Sequence, residues 1–411
     1  MKILYLVHQF YPEHYTGTEK FLLNLAKSMQ RFGHQVKVVT YQHHVKQPLE
    51  ETVGRLKVRR YVFEGVPVLA LQHVAPPLDV DQGFSSPAVA EFARQLLTDE
   101  RPDLLHVAHS MRVGEFVRVA QELEVPYLMT LTDFFLLCPK CTLMTSNASL
   151  CAGPEQGNAC RRLCPELSQE MIVNRLSQTE DLLRQARRIV APSKFLAGIF
   201  KSHWPDLEIE LNGYGISFGK IKRNTRSYTP GQPLTFFYGG SFIYHKGVHI
   251  LIDAFRKLEG EATLKLYGSG HLRETLEKLA GGDPRIEFCG VFAGDRLSEI
   301  LNQVDVAIVP SIWYENTPIM MLEALAAEVP VIVSDLGGMT ERIQHGFNGY
   351  AFRIGDSDSL KEVLQALVKQ PEQLNTLKRN IRQQGIHTVE QEALQYERAY
   401  RESLHGQRVD A

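Results

Sequence analysis

The sequence predicts an α/β protein made of two doubly wound parallel-sheet domains facing a cleft, and three observations carry that prediction. At 411 residues, with 44% hydrophobic and 22% charged side chains, the chain has a soluble globular composition and is too long for one ordinary core. The first 40 residues read strand–loop–helix–strand. The same order restarts at residue 234, and two such βαβ starts in one chain predict two sheets in tandem.

Each element follows from its pattern. ILYLVHQ is a continuous apolar run, as a strand buried on both faces requires. Phe21, Leu22, Leu25, Met29 and Phe32 keep helical spacing, Gly33 stands where a helix-ending glycine belongs, and VKVVTY resumes a strand. DLLHVAHS, VPYLMTLTD and RRIVAPS continue the alternation in the first half. In the second, LTFFYGG is a strand, KGVHILIDAFRKLEG a loop and helix, and ATLKLYGSG, IEFCGVF, VDVAIVPS and VPVIVSD are further strands. Pro, Gly and polar residues thicken over 195–233, where we expect the linker. The expected domains are 1–200, with a Cys-rich insertion at 138–165, and 201–387. A last helix, about 388–411, with Leu394, Tyr396, Tyr400 and Leu404, is expected to pack back on the first domain. Ligands of open parallel sheets sit beyond the carboxyl ends of the strands, so the cleft between the domains is the expected site.

Charge narrows the function classes. The net charge of −2 gives no sign of nucleic-acid binding. The first 60 residues hold ten Lys/Arg against four Asp/Glu, and a strand over GRLKVRR puts Arg55, Lys57 and Arg59 on one face. That face is read first as solvated, with an anionic acceptor or a membrane surface as the alternative. MKILYLVHQF is a strand rather than a signal peptide, and no apolar run reaches the ~18 residues of a spanning helix. We expect a cytoplasmic protein with reduced cysteines, in peripheral contact at most with the inner face of the cell membrane.

The stretch PSIWYENTPIMMLEALAAEVPVIVSD carries the most chemistry. A buried strand leads through IWYEN into a helix, with Thr317 as expected N-cap and Pro318 as first helical residue. Helix N-termini after strand ends offer unpaired N–H groups and suit a diphosphate. Glu315 and Glu323 are acceptors for sugar hydroxyls, yet their spacing is met equally by an exposed glutamate followed by a helix-stabilising one.

That stretch resembles the glutamate–seven residues–glutamate signature of the retaining nucleotide-sugar glycosyltransferases of family 4, which have the GT-B fold of two Rossmann-like domains. The likeness runs through TGTEKFLLNLAKSMQRFGHQVKVVT, TLTDFFLLCP, APSKFLAGIF, YGIS, YGGSFIYHKGVHILIDAF, LYGSG, FCGVF and SDLGGMTERIQHGFNGYAF, in that order over nearly the whole chain. The resemblance implies that Glu315 faces the transferred sugar and Glu323 the ribose. Asn316, Thr317, Pro318 and Ile319 then lie along sugar and diphosphate, and Lys246 neutralises the leaving diphosphate. It also implies that Gly17 lets a phosphate or the acceptor approach the backbone, and that Val291 and Phe292 hold the base. Gly240, Ser241 and Gly268 line the donor site, and His109, Thr132 and Asp133 the acceptor side, with Asp133 among the catalytic residues. Three positions depart from the family pattern: Ser241, where many relatives carry Arg; Thr132, where His often precedes the aspartate; and Thr16, in place of a second glycine.

The expected function is therefore transfer of a sugar, with retention and without metal, from a UDP- or GDP-linked donor to a hydroxyl of a saccharide or lipid-linked glycan. A nucleotide-sugar epimerase of the same fold, or an inactive sugar-nucleotide-binding protein, are the alternatives. Asp79-Val-Asp81 and Asp356-Ser-Asp358 fit a metal-binding pattern but lie in polar, Pro- or Gly-flanked loops, and are read as surface carboxylates. His106 and His109 are read first as packed strand-end histidines. Five of the six cysteines, 138, 141, 151, 160 and 164, fall within 27 residues. Four thiolates around zinc would anchor such a segment, with free thiols or disulfides as alternatives. Relatives that carry a similar insertion imply Cys138, Cys151, Cys160 and Cys164 as ligands, with Cys141 as substitute. Arg161 and Arg162 within it suit an acidic acceptor.

Overall fold

The computed structural model describes residues 1–42, 51–76, 86–217, 219 and 221–404. The chain divides into two units, residues 1–215 with 389–411, and residues 216–388.

In the first unit the strands are β1 (Lys2–Val7), β2 (Gln35–Tyr41), β3 (Glu51–Val53), β4 (Leu56–Phe63), β5 (Val66–His73), β6 (Leu104–Val107), β7 (Tyr127–Thr130), β8 (Arg188–Ala191) and β9 (Glu210–Leu211). They form one sheet in the order β3-β4-β5-β2-β1-β6-β7-β8-β9. Pairing is parallel except at β3–β4 and β4–β5. β1 lies between β2 and β6, with Ile3 opposite both Val36 and Leu104, so the strand order reverses beside it. The Gly17–Arg31 helix buries Phe21, Leu22, Leu25 and Met29, and Gly33 follows at φ 84°. Each such apolar side chain contributes about 1.5–3 kcal/mol when fully buried.

The Val389–Leu404 helix belongs to this first unit. It is anchored by a polar core: Tyr400 Oη lies 2.5 Å from His106 Nδ1, and Thr130 Oγ1 lies 2.7 Å from His106 Nε2 and 3.0 Å from Tyr396 Oη. Burial pushes the His106 pKa down to about 3, so this imidazole is neutral and structural. Leu394, expected in the packed stripe, is instead exposed. The boundary drawn at residue 200 and the linker drawn from 195 are also corrected. The Lys194–His203 helix and β9, which pairs with β8, still belong to the first unit, and the break falls after Gly215.

In the second unit β10 (Leu234–Gly239), β11 (Ala262–Tyr267), β12 (Ile286–Gly290), β13 (Val306–Val309), β14 (Val331–Ser334) and β15 (Gly349–Phe352) form an all-parallel sheet in the order β12-β11-β10-β13-β14-β15. Its core joins Phe236, Leu264, Leu266 and Ile308 of the strands to Leu251 and Phe255 of the Val248–Arg256 helix and Leu360 and Leu364 of the Ser357–Lys369 helix. Here the order reverses between β10 and β13. Among the described residues no helix is long and apolar enough to cross a membrane.

Candidate active site

Each unit gathers polar side chains beyond the carboxyl ends of the strands that flank its reversal point. In the second unit β10 runs out through Gly239, Gly240 and Ser241 into the short Tyr244–Lys246 turn. Gly247 follows at φ 69°, and a Cβ there would lie 1.8 Å from Pro310 O. Only glycine lets this turn lie against the exit of β13, where Ile312 N also donates to His245 O at 2.9 Å. That contact brings Lys246 to the loop after β13.

Three donors then converge on one oxygen of Glu315. Lys246 Nζ lies 2.6 Å from Oε1, Ser311 Oγ 2.8 Å and Trp313 Nε1 2.8 Å. The Lys246 ammonium also stands 4.8 Å from the centre of the Trp313 ring, and His245 packs on that ring at 4.6 Å. Glu315 is buried. Burial alone would raise its pKa, but the Lys246 charge and the three hydrogen bonds outweigh it and hold the carboxyl below its ordinary value. Its backbone is pinned as well, since Gly338 N donates to Glu315 O at 2.8 Å.

The helix after this loop begins at Ile319, with Pro318 in the capping position and no side chain capping it. Thr317 is not the cap: its hydroxyl donates to Asn316 O at 2.8 Å, because Pro318 takes an extended ψ of 121° and moves the helix start one residue on. Glu323 lies one turn into this helix and is buried. Gly268 works as a spacer between loops, since a Cβ there would stand 1.8 Å from Gly240 O. Ser241 is exposed, and its carbonyl accepts from Tyr238 Oη at 2.9 Å. Phe292 meets Tyr267 edge-on at 5.5 Å, while Val291 beside it is exposed.

In the first unit, His109 follows β6 and Asp133 follows β7. His109 Nδ1 accepts from Met111 N at 3.2 Å, so Nε2 carries the proton that it donates to Asp133 Oδ2 at 3.0 Å. Phe135 N donates to the other carboxylate oxygen at 2.8 Å. Burial raises the Asp133 pKa, but His109, Phe135 N–H and Arg175 outweigh it and leave the carboxyl below its usual value. Thr132 ties the two strand exits together, donating to Ala108 O at 3.0 Å. His109 is thus no mere packed histidine, whereas His106 is.

His8, just after β1, packs with its ring tilted 37° and its centre 4.0 Å from that of His109. Burial, then the neighbouring His109, Arg112 and His14, hold it uncharged. Gly17 is exposed at the start of its helix, where the buried Glu19 carboxylate accepts from Thr16 N and Thr16 Oγ1, both at 2.6 Å. Sequence reasoning missed His8, Ser311 and Trp313. His8 closes an apolar strand and Trp313 stands two residues before Glu315, and only those placements marked them.

The cysteine segment is folded by short-range contacts. Cys141 N donates to Cys138 O at 2.8 Å, Cys164 N to Cys160 O at 2.8 Å, and Cys160 packs with Ile172 and Leu176. All six cysteines are free thiols. Burial and the nearby Cys138, Cys151 and Cys164 push the Cys160 thiol up to about 12. Yet among the described residues no group of three or more His, Cys, Asp or Glu side chains is placed to hold a metal ion. Arg161 and Arg162 are exposed and bond Asn158 and Glu155 within the same segment. Asp356 caps the Ser357–Lys369 helix by accepting from Asp358 N and Ser359 N, while Asp79 and Asp81 lie outside the described residues.

Two parallel-sheet units, one with a paired cation and carboxylate at its reversal point, define the architecture of a GT-B glycosyltransferase. The family described as "Glycosyl transferases group 1" matches residues 221–384, and the "Glycosyl transferase 4-like domain" matches residues 16–205. The chain belongs to this family of GT-B glycosyltransferases. It is 40% identical over 115 residues to an uncharacterized glycosyltransferase of Methanocaldococcus jannaschii (27% of this chain, 29% of that protein). It is 32% identical over 142 residues to the sulfoquinovosyl transferase SQD2 of Arabidopsis thaliana (34% and 27%). With a putative colanic acid biosynthesis glycosyltransferase, WcaL, of Salmonella typhimurium the identity is 25% over 206 residues (47% and 50%). The matches thus span half or less of these relatives' lengths. Among solved structures, the sucrose-phosphate synthase of Thermosynechococcus elongatus shares the fold at TM-score 0.74 and 18% identity, over 97% of this chain and 98% of that one. HepE of Anabaena, in complex with UDP and glucose, does so at TM-score 0.69 and 18% identity with the same coverages.

Proposed function

We propose that the protein is a retaining glycosyltransferase that moves a sugar from a UDP- or GDP-linked donor to a hydroxyl of a saccharide or lipid-linked glycan, in the synthesis of a cell-surface polysaccharide or glycoconjugate. The observation that carries this reading is the Lys246–Glu315 pair at the reversal point of the second sheet. Glu315 accepts from the hydroxyls of the transferred sugar, and Glu323 from the ribose diol. The uncapped first turn of the Ile319–Ala326 helix receives the diphosphate, with Asn316 to Ile319 along it. As the glycosidic bond breaks, negative charge grows on the leaving phosphate, and Lys246 turns from Glu315 to meet it. The leaving phosphate takes the acceptor's proton on the face from which it departs, which keeps the anomeric configuration. Val291 and Phe292 receive the base. His109 and Asp133 orient the acceptor hydroxyl: the imidazole holds the carboxylate through Nε2, and the carboxylate accepts from the hydroxyl.

Catalysis by this route needs no metal ion, because Lys246 and the helix terminus supply the positive charge. For the cysteine segment we keep a structural zinc as a proposal. Cys138, Cys151, Cys160 and Cys164 are electrostatic neighbours but do not form a ligand set as they stand, so a metal would have to draw the sulfurs together. Peripheral membrane contact through the face of Arg55, Lys57 and Arg59 is proposed on charge alone, Arg55 and Lys57 being exposed and Arg59 half-buried.

Thermal-shift screening against UDP, GDP, ADP and their glucose and mannose conjugates tests the reading, since a ligand of the native state raises the melting temperature in step with its affinity. A nucleoside diphosphate and its sugar conjugate should both stabilise the protein. Incubation with that conjugate alone should give slow hydrolysis. An epimerised donor, or stabilisation by none of the panel, would overturn it.

A further inference from the structure

We infer that Trp313 is a positioning residue, which holds Glu315 in place while Lys246 changes partners. The inference rests on the transferase reading for its kinetic consequence, but its geometry is independent of it. Glu315 Oε1 is held by Lys246, Ser311 and Trp313, and Oε2 receives none of the three. Lys246 cannot serve both Glu315 and a departing phosphate at full strength. When the ammonium moves, a buried carboxylate loses its cation and would tend to follow it. The indole N–H prevents this, because it is a donor only, carries no charge and cannot compete for the phosphate. Its ring packs 4.6 Å from that of His245, whose carbonyl is tied to Ile312 N. The face of the same ring meets the ammonium 4.8 Å from its centre, which keeps Lys246 close as it turns.

Two substitutions separate the parts of this role. Trp313→Phe keeps a ring face for Lys246 and His245 and removes the N–H. Trp313→Leu removes both. The first readout needs no turnover. Trp204 and Trp313 are the two tryptophans of the chain, so in a Trp204→Phe background the emission comes from Trp313 alone. The charged and titratable groups facing Glu315 are Lys246, His245 and Tyr238, with His271 beside His245. Emission recorded against pH should show a step below the ordinary carboxylate range, as Glu315 takes up a proton and its bond to the indole weakens. Adding Glu315→Gln should abolish that step, and any step that remains belongs to His245. A flat profile, or one unchanged by Glu315→Gln, overturns the inference.

The second readout uses UDP-glucose as donor and UDP as the bound probe. Trp313→Phe should lower kcat roughly tenfold, the loss of one hydrogen bond to a charged group. It should move the acid limb of the rate profile to higher pH, because Glu315 loses a donor that favours its ionised form. UDP affinity should stay near wild type, and the melting temperature should fall by no more than the loss of one hydrogen bond to a charged group implies. Trp313→Leu should cost more in kcat than Trp313→Phe. A fall in UDP affinity and melting temperature in step with kcat would make Trp313 merely structural and overturn the inference. Should the wild-type protein not turn over UDP-glucose, the transferase reading fails for that donor, while the emission titration still decides the place of Trp313.

Discussion

The two units each present a carboxylate beyond a strand end, and they hold it in opposite ways. Glu315 is buried with a lysine ammonium and two neutral donors on a single oxygen. The Asp133 side chain is 32% exposed and shares its two oxygens between the His109 imidazole and the Phe135 N–H. A lysine charge is permanent near neutral pH and can be transferred from one anion to another. An imidazole can exist with or without its second proton. The contrast matches the roles proposed above, a fixed positive charge for the leaving group in the second unit and a carboxylate for the acceptor hydroxyl in the first.

The largest effect should come from breaking the fixed charge. Lys246→Met should lower kcat by about 10²–10³, as expected for loss of one preorganised contact to developing charge. It should also destabilise the free protein by on the order of 2 kcal/mol, because Glu315 is left buried without its cation; the Lys246 side chain is a quarter exposed, which argues for less than a fully buried pair. The double variant Lys246→Met/Glu315→Gln should regain the stability and not the activity. The pH dependence has a defined sign. The folded-state pKa of Glu315 is depressed, so its contribution is full above the unfolded carboxylate value and is lost as pH falls through the lower, folded one. Wild type and Glu315→Gln should therefore converge in stability in acid, and melting curves across that range check it.

Next in size is the division between the two glutamates. Glu315→Gln should lower kcat tenfold or more, up to about a thousandfold, with UDP affinity nearly unchanged, because the proposed reading gives it the sugar and not the nucleotide. Glu323→Gln should mainly weaken UDP itself, which carries the same ribose. Equal losses of UDP affinity in both variants, measured by calorimetry, would break the assignment.

How much of this was legible depended on whether a role lies in one segment or needs several. The parallel sheets were readable because buried strands such as LTFFYGG and VDVAIVPS are apolar without interruption. Glu315, Glu323 and Lys246 were picked out by motif order along the chain, and the structure pairs Lys246 with Glu315. The spacing around Glu315 did not reveal that Lys246 reaches it, since Gly247 must first bring two loops together. Trp313 was invisible for the same reason, as its partners lie on two loops. The Thr317 cap was misplaced because Pro318 fits both a capping position and a first turn, and the observed ψ decides between them. The domain boundary was misplaced because the last strand of the first sheet is only two residues, Glu210 and Leu211, both solvent-exposed, with no apolar run to mark it.

A smaller effect is expected in the first unit. Asp133→Asn keeps an acceptor for the His109 N–H but removes the charge, and should lower kcat about tenfold, within the range of a single hydrogen bond to a charged group. UDP affinity should not change, because donor binding is assigned to the other unit. If calorimetry showed Asp133→Asn weakening UDP as much as Glu323→Gln does, the contrast between the two units would fail.

The smallest effect on turnover should come from removing metal, and here the comparison is between the reaction centre and the cysteine segment. Transfer should survive exhaustive EDTA treatment if, as proposed, Lys246 and a helix terminus supply the charge that a divalent cation supplies elsewhere. Activity that vanished with EDTA and returned with Mg²⁺ or Mn²⁺ would show that the fixed charge is insufficient. Zinc must be measured separately, because its loss would act through the fold. Cys160, packed against Ile172 and Leu176, sits among three other thiols, and a closed four-thiolate site would hold about one zinc per chain. Elemental analysis of protein purified without added metal should find it, and Cys151→Ser should lose it together with stability around Asp133, which the same segment follows in the chain. Metal-free protein in which all six thiols titrate freely would instead mean that burial and the turn hydrogen bonds hold the segment unaided.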